Sequence, residues 1–275
     1  MATTIVCHPF DTVRTRLQAA SPGRFEGVVS CVTQTIRREG MMGLYKGMAF
    51  PLGAQAVYKA VIFTVNGYAK RAFATKGFSD TSLGIFSCGA LSGTINSFIV
   101  TPVELVRNRL MLQYQKGPGT FEGPMECMKH ILHHRGVFGM WQGLWPTMMR
   151  DGVGMGIYFL SFETTKRGLM LLQSRQAGKE LTTPQGYGTV LLAGSAAGIS
   201  FWAVALPFDA SKTVIQATKL ERGQPSPRLW KTMKGLVQEG GVSCLFRGWP
   251  VAIGRGIPGA AVTMATYGRV KQAMS

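Results

Sequence analysis

Long apolar segments separated by short polar ones make up most of the sequence. Residues 82–101 contain no charged side chain, and residues 188–206 contain none either. A helix of about 20 apolar residues is long enough to cross the roughly 30 Å hydrocarbon core of a bilayer. We therefore predict a membrane-spanning helix in each of these two segments.

Three further long segments are apolar but interrupted by charge. Lys59, Arg150, Asp151 and Arg255 lie inside them. Charged side chains at membrane depth normally face the interior of a helix bundle or a water-filled cavity, so these four residues are predicted to line a pathway. The three segments, each predicted to be a helix, are residues 48–73, 145–172 and 249–274.

Polar segments between the long helices carry much of the positive charge. Residues 25–39, 121–135 and 228–239 are predicted to form short amphipathic helices that lie along one membrane surface. The resulting order of long helix, short helix and long helix occurs three times along the chain.

A short motif recurs at intervals of about a hundred residues, which is the signature of a tandem repeat. It reads PFDTVRTR from Pro9, PVELVRNR from Pro102 and PFDASKTV from Pro207. Each copy places an acid two positions after the proline and a base five positions after it. Proline bends a helix by removing one of its hydrogen bonds, and residues three apart share a helix face.

A second motif follows each copy of the first. It reads EGMMGLYKG from Glu39, RGVFGMWQG from Arg135 and EGGVSCLFRG from Glu239. One such motif alone is a weak signal, because many helices match it by chance. Three pairs of motifs in the same order are a strong signal. They divide the chain, as a single domain, into repeats at residues 1–76, 77–178 and 179–275.

Composition supports a membrane protein with an anionic partner. Hydrophobic residues make up 46% of the chain and charged residues 16%, while 30 Lys and Arg face 13 Asp and Glu, for a net charge of +17. Such a charge suits acidic lipid or nucleic acid. Because the basic residues alternate with uncharged spans instead of clustering with aromatics on a soluble fold, nucleic acid is not expected as a partner. The 35 glycines favour close helix contacts.

Enzyme chemistry is not indicated. The sequence shows no nucleotide-binding loop, no nucleophilic elbow and no cluster of metal ligands, so we expect neither a cofactor nor a bound metal. The five cysteines are scattered and are predicted to be free thiols, and they are Cys7, Cys31, Cys88, Cys127 and Cys244.

The amino terminus has neither a secretory signal nor an Arg-rich transit peptide. MATTIVCHP aligns with the end of SGTINSFIVTP in the second repeat, so the first helix is shorter than its counterparts. We expect Met1 to be an internal methionine or the start of a splice form, with a Gly-rich apolar segment encoded upstream.

Together the two motifs resemble those of the mitochondrial carriers, and the resemblance covers essentially the whole chain. It implies an all-α membrane protein with six transmembrane helices in three pseudo-threefold tandem repeats, short matrix helices and an N-terminally truncated first helix. It further implies a monomeric, multi-pass protein of the mitochondrial inner membrane that moves a small solute by alternating access, with cardiolipin as bound lipid.

By the same resemblance, the charges of the first motif form a matrix gate. The implied ion pairs are Asp11 with Arg107, Glu104 with Lys212, and Asp209 with Arg14. Gln18 and Gln216 stand where family members brace these pairs, whereas the second repeat has Met111 there. The alternative is a static structural network of the same charges.

A cytoplasmic gate is implied near the ends of the even-numbered helices. Only the second repeat keeps the whole family pattern, in Phe162, Glu163 and Lys166. The first retains Lys70, and the third retains Tyr267 and Lys271, so this gate is predicted to be weak. The glycines that end the second motif are implied cardiolipin sites, with a plain helix start as the alternative, and they are Gly47, Gly143 and Gly248.

The resemblance places a substrate site on the even-numbered helices at Ala54, Arg150 and Arg255. An Arg followed by an acid at this place resembles the carriers for amino acids and carnitine. Arg150 and Asp151 could bind the carboxylate and the ammonium of a zwitterion, although the two side chains could also neutralise each other.

Three more residues are assigned to this site. His8, before the first motif proline, resembles the carnitine/acylcarnitine and ornithine carriers; it could touch substrate, or it could simply pack. Gln55 and Lys59 are expected to face the cavity, and the extra cation of Lys59 disfavours a cationic solute. The expected solute is carnitine, acylcarnitine or a related zwitterion; the alternatives are ornithine, lysine or arginine, or a truncated carrier that no longer transports.

Overall fold

The computed structural model describes residues 2–20, 24–74, 81–113, 120–177, 187–218 and 224–255. In these residues the chain is built from helices, which confirms the predicted all-α class. The α-helices are α1 (Ala2–Ala19), α2 (Val28–Glu39), α3 (Ala49–Ala74), α4 (Ser82–Met111), α5 (Pro124–Arg135), α6 (Leu144–Ala177), α7 (Tyr187–Ala217), α8 (Leu229–Gly240) and α9 (Trp249–Gly254).

The motif prolines lie inside helices. Pro9 is in α1, Pro102 in α4 and Pro207 in α7, and each helix continues beyond its proline. The charged residues of the first motif therefore share a helix with the apolar segment before them, as predicted. The third even-numbered helix is described only as far as Arg255, so the predicted helix over residues 249–274 lies mostly outside the described residues.

Three described stretches are long and apolar enough to cross a membrane. They are Met41–Ala74, Ser82–Met111 and Gly188–Ala217. The last two contain the uncharged runs from which spanning helices were predicted. The first contains the segment 48–73, which was predicted to be a helix although its apolar sequence is interrupted by charge, as at Lys59.

Each repeat turns between its short and its long helix in the same way. Gly40, Gly136 and Gly241 follow α2, α5 and α8 with φ of 72°, 68° and 71°. This left-handed conformation favours glycine because a Cβ would be strained there. A short 3₁₀ helix follows each glycine, at Met41–Tyr45, Val137–Trp141 and Val242–Phe246. The identical turns reproduce the threefold repeat of the sequence.

The chain divides into two compact units. The first comprises Met1–Lys59, Ser97–Thr147 and Leu206–Ser275. Its core has two clusters in which a short helix packs on the first-motif helix of its own repeat. One contains Val13, Leu17, Cys31, Leu44 and Val251, and the other contains Leu105, Val106, Leu110, Cys127, Ile131 and Met140.

The second unit comprises Ala60–Asn96 and Met148–Ala205. Here α4 and α6 approach closely through glycine. A Cβ on Gly93 would lie 2.1 Å from the carbonyl oxygen of Asp151, and one on Gly89 would lie 2.6 Å from that of Met155. Such close backbone contact is what the glycine content predicted, and it fixes the backbone at Asp151.

All five cysteines are free, as predicted, and all five are buried. Cys31 on α2 and Cys127 on α5 occupy corresponding places in the first two repeats, and both are fully enclosed. Burial raises the pKa of each thiol to about 11.

Candidate functional site

The first motif forms a ring of ion pairs in the first unit. Arg107 Nη2 lies 2.8 Å from Asp11 Oδ2, and Arg14 Nη2 lies 3.4 Å from Asp209 Oδ2. Lys212 contacts Glu104 through its Nζ. Asp11–Arg107 and Glu104–Lys212 join consecutive repeats, and Asp209–Arg14 joins the last repeat to the first. All three pairs implied by the resemblance are therefore formed.

The six side chains of this ring are largely removed from water. The side chain of Lys212 is 1% exposed and that of Asp209 is 3% exposed. Burying charges costs free energy that the attraction between them only partly returns, so such a pair has a modest net value while a lone partner is strongly destabilising. A ring of this kind can close a passage and still separate.

Arg255 adds a fourth cation to this ring. Its Nη1 contacts Asp11 Oδ1, so the two oxygens of Asp11 are held by two different arginines. The sequence assigned Arg255 to the substrate site and Asp11 to the gate. Tertiary structure brings the two together, which the spacing of the motifs does not predict.

The two glutamines assigned to the gate bind other partners. Gln18 Oε1 accepts a hydrogen bond of 3.1 Å from Thr213, and Gln216 Oε1 accepts one of 2.6 Å from Asn108. Their side chains thus link α1 and α4 to α7 beside the ring rather than bonding to its ionised groups. The predicted brace acts between the helices and not on the charges.

A second charged cluster, in the first repeat, was not predicted. Arg16 is fully buried and binds both carboxylate oxygens of Glu39, at 2.6 and 2.9 Å. Lys46 Nζ lies 2.5 Å from Glu39, and Arg16 also donates to Thr35 and to the carbonyl oxygen of Met111. The cluster ties α1 to α2 and α4. Its signal is in the sequence, since the first motif ends at Arg16 and the second begins at Glu39.

The second repeat fills the corresponding places differently. Arg109 corresponds to Arg16, but Arg135 replaces the acid and Gln142 replaces the lysine. Gln142 Oε1 accepts hydrogen bonds from Arg109 at 3.0 Å and from Arg135 at 3.2 Å. Its Nε2 donates to the carbonyl oxygens of Ile215 and Thr218 at the end of α7.

The glycines predicted to hold lipid lie just before the even-numbered helices. Gly47, Gly143 and Gly248 have φ of 76°, 84° and 82°. A Cβ on Gly47 would lie 3.1 Å from the carbonyl oxygen of Arg107, and one on Gly248 would lie 2.9 Å from the side chain of Arg14. Each second motif therefore packs on the first motif of the next repeat, with the third packing on the first.

A cavity of about 420 Å³ opens beside Gly143. Its lining includes Trp141, Trp145, Trp230 and Arg228. The walls are mainly apolar and include three tryptophans, with one cation and the exposed start of α6. This lining suits a ligand that has apolar chains and an anionic head.

In the second unit, Arg150 Nε lies 2.7 Å from Asp151 Oδ1. The two side chains are 10% and 11% exposed. The structure thus forms the internal pair that the sequence left as an alternative to direct solute binding. A neighbouring Arg and Asp held in this way present a carboxylate and a guanidinium side by side.

The remaining substrate-site residues lie in the first unit. His8 is 1% exposed, hydrogen-bonds the carbonyl oxygen of Lys46 at 3.0 Å and stacks on Tyr45. Its geometry matches the packing alternative rather than contact with substrate. Gln55 accepts a hydrogen bond from Thr4, while Ala54 is half-buried and Lys59 is exposed.

The residues assigned to the cytoplasmic gate pair locally where they are described. Glu163 lies 3.4 Å from Lys166 and 3.0 Å from Arg167, both on its own helix. Phe162 is half-buried and Lys70 is exposed. The two gate residues of the third repeat, Tyr267 and Lys271, lie outside the described residues.

A family model described as mitochondrial carrier protein matches the chain three times, over residues 1–77, 79–172 and 184–275. The chain is 34% identical to a mitochondrial carnitine/acylcarnitine carrier-like protein of Arabidopsis thaliana, over 96% of this chain and 91% of that protein.

Two further relatives carry other substrate names. A glutamate/glycine mitochondrial carrier of Schizosaccharomyces pombe is 34% identical over 99% of this chain and 90% of its own length. A mitochondrial basic amino acids transporter of Mus musculus is 33% identical over 97% of this chain and 84% of its own length.

Proposed function

The chain belongs to the mitochondrial carrier family, and on that premise we propose that it exchanges carnitine, acylcarnitine or a related amino-acid-like zwitterion by alternating access. Members of this family are solute transporters and multi-pass proteins of mitochondrial membranes. The inner membrane is the site proposed here, with the protein acting as a monomer. The relatives named for carnitine, for glutamate and glycine, and for basic amino acids share a solute that bears both a carboxylate and a cationic nitrogen.

The Arg150–Asp151 pair is the observation that carries the substrate class. A zwitterion can take the place of each partner of the pair, with its carboxylate on Arg150 and its cationic nitrogen on Asp151. The site is neutral before and after this exchange, so no unpaired charge is left buried. A solute with only one charge would leave one member of the pair without its counter-ion.

The ring of ion pairs is proposed as the matrix gate. It joins each of the three repeats to the other two, and separating each ion pair costs only a modest net free energy. Because Asp11 is held by both Arg107 and Arg255, opening requires it to leave two arginines. The residues at Glu163 are proposed as a weaker cytoplasmic gate.

Reconstitution into liposomes tests this function. Proteoliposomes loaded with carnitine, lysine or glutamate should take up the matching labelled solute, and carnitine uptake should exceed lysine uptake. The Asp151→Asn variant should lose uptake of all three solutes, because it removes the anion that faces the cationic nitrogen. The matched control is Glu122→Gln, an exposed acid outside the site, which should transport as the parent protein does.

Other results would point to other functions. Uptake of lysine in preference to carnitine would assign the chain to basic amino acids. Full activity of Asp151→Asn would remove Asp151 from the site. Absence of exchange for every solute, beside an active carrier treated in parallel, would favour a chain that does not transport.

Cardiolipin is proposed as the bound lipid. The aromatic cavity beside Gly143 has room for acyl chains, and the start of α6 together with Arg228 offers donors to phosphate. Cardiolipin carrying brominated chains should quench tryptophan fluorescence of the purified protein. Replacing Arg228 by Gln should weaken this quenching, and equal quenching by brominated phosphatidylcholine would argue against a headgroup site.

A further inference from the structure

Three of the four histidines of the chain lie on one helix, α5. They are His130, His133 and His134, and all three are exposed. Sequence analysis predicts no metal site, and neither the proposed gate nor the proposed solute site uses these residues. Their arrangement in the structure is the basis of a separate inference.

His130 and His134 form the closest pair. They are four residues apart, which places them on the same helix face, and their ring centroids are 4.0 Å apart with an angle of 18° between the rings. Two histidines with this spacing on one helix are a known arrangement for a divalent transition metal. The ring of His133 meets that of His134 edge-on, with centroids 5.2 Å apart.

The hydrogen bonding of His134 leaves one ring nitrogen available to a metal. Its Nδ1 lies 2.9 Å from the carbonyl oxygen of His130. A carbonyl oxygen only accepts, so Nδ1 carries the proton, and the lone pair of the neutral ring is on Nε2. Donation of one ring N–H to a backbone carbonyl is the support that metal-binding histidines usually have, since it fixes the tautomer and the ring orientation.

The ring of His130 also packs against an aromatic side chain. Phe121 packs against it with centroids 5.0 Å apart and an angle of 62°. Phe121 is itself tied by its backbone N–H to Gln113 Oε1, at 3.2 Å. The contact restricts the motion of the His130 ring, which stays beside the ring of His134.

We propose that His130 and His134 bind a divalent transition-metal ion of the zinc, copper or nickel class. Imidazole nitrogen is a preferred ligand for these metals. No group of three or more His, Cys, Asp or Glu side chains in the described part of the chain is arranged to hold a metal. In this proposal the two histidines are the protein ligands and water completes the coordination, so the ion is exchangeable.

The bound ion would bridge the last turn of α5. This turn ends at Gly136 and leads into the 3₁₀ helix Val137–Trp141 and then to Gln142. A metal across residues four apart would hold that turn in the helical conformation and raise the thermal stability of the protein by an amount that grows with the logarithm of the metal concentration.

Metal titration of the purified full-length protein, with any affinity tag removed, tests the proposal. Calorimetry with ZnCl₂ should show one site, and the spectrum of bound Cu²⁺ in electron paramagnetic resonance should show two nitrogen ligands. His130→Ala and His134→Ala should each weaken Zn²⁺ binding by about tenfold or more, since even loss of a group that only supports a ligand costs about tenfold.

His133→Ala is the matched control, because it removes an exposed histidine from the same helix. Its Zn²⁺ affinity should stay within about twofold of the parent protein. Equal loss in all three variants would overturn the assignment of the pair, and unchanged Cu²⁺ coordination in the His130→Ala/His134→Ala double variant would overturn the site. Neither result bears on transport, so the inference stands or falls independently of the proposed function.

Discussion

The first two repeats place an arginine at the same point of the same local structure but surround it with different chemistry. In the first repeat, Arg16 meets the carboxylate of Glu39, to which Lys46 is also bound. In the second, Arg109 meets the neutral amide of Gln142, which also receives Arg135. A carboxylate binds two cations in one case, and an amide oxygen binds two in the other.

Solvent exposure accounts for the difference. Arg16 is fully enclosed, whereas Arg109 is only partly buried. A charge that loses all its water needs a counter-charge as well as hydrogen bonds, while one that keeps some water can be satisfied by hydrogen bonds alone. Unlike the carboxylate of Glu39, the amide of Gln142 can also donate hydrogen bonds. Its NH₂ group binds carbonyl oxygens at the end of α7.

Removal of the carboxylate in the first repeat should have the largest effect. Glu39→Gln keeps the shape of the side chain but leaves the enclosed Arg16 without its counter-charge. We expect the free energy of unfolding to fall by about 3–5 kcal/mol. Denaturant unfolding in detergent micelles measures it, and Glu26→Gln, an exposed acid on the preceding segment, should change stability by no more than about 0.5 kcal/mol.

Removal of the amide in the second repeat should cost less. Gln142→Ala deletes the acceptor of two arginines and the donor to two carbonyl oxygens. Because the two arginines are partly reached by water, the expected loss is about 1–3 kcal/mol. The same unfolding measurement applies, with the exposed Gln238→Ala as control. A loss as large as that of Glu39→Gln would contradict the explanation by exposure.

Restoring the acid in the second repeat should have a small favourable effect. Arg135 stands where the first repeat has Glu39, so Arg135→Glu places a carboxylate near Arg109 and removes a repulsion between two cations. The gain is limited to about 0.5–1 kcal/mol because the site is partly exposed and the hydrogen bond of Arg135 to Gln224 is lost. A clear decrease in stability would show that the amide network depends on Arg135.

The thiols of the two repeats should behave alike, and this is the smallest expected difference. Burial raises the pKa of both Cys31 and Cys127 to about 11, so hardly any thiolate is present at pH 8. Iodoacetamide at pH 8 should modify both slowly in the folded protein and rapidly in sodium dodecyl sulfate, as peptide mapping would show. Between the ordinary thiol pKa of about 8.5 and pH 11 the unfolded thiols ionise first, so stability should fall as the pH rises.

Much of the fold could be predicted from patterns that depend on neighbours along the chain. The uncharged runs predicted α4 and α7, and the second motif predicted the turn before each even-numbered helix. The first motif predicted the charged residues of the ion pairs, and the family resemblance supplied the partner of each. The Arg16–Glu39 pair was present in the same motifs and was missed, because nothing in one sequence says which of several charges meet.

The sequence by itself determined the helical class, the three repeats and the position of each charge along its helix, since these follow from local periodicity and from proline and glycine. Tertiary structure alone decided that Arg255 shares Asp11 with Arg107, that Arg150 binds Asp151, and that His8 packs under Lys46. Some of these contacts join residues that are far apart in the chain. In others, a side chain bonds to one of two partners within its reach. Such choices depend on the free energy of burying each charge, which is known only when its surroundings are.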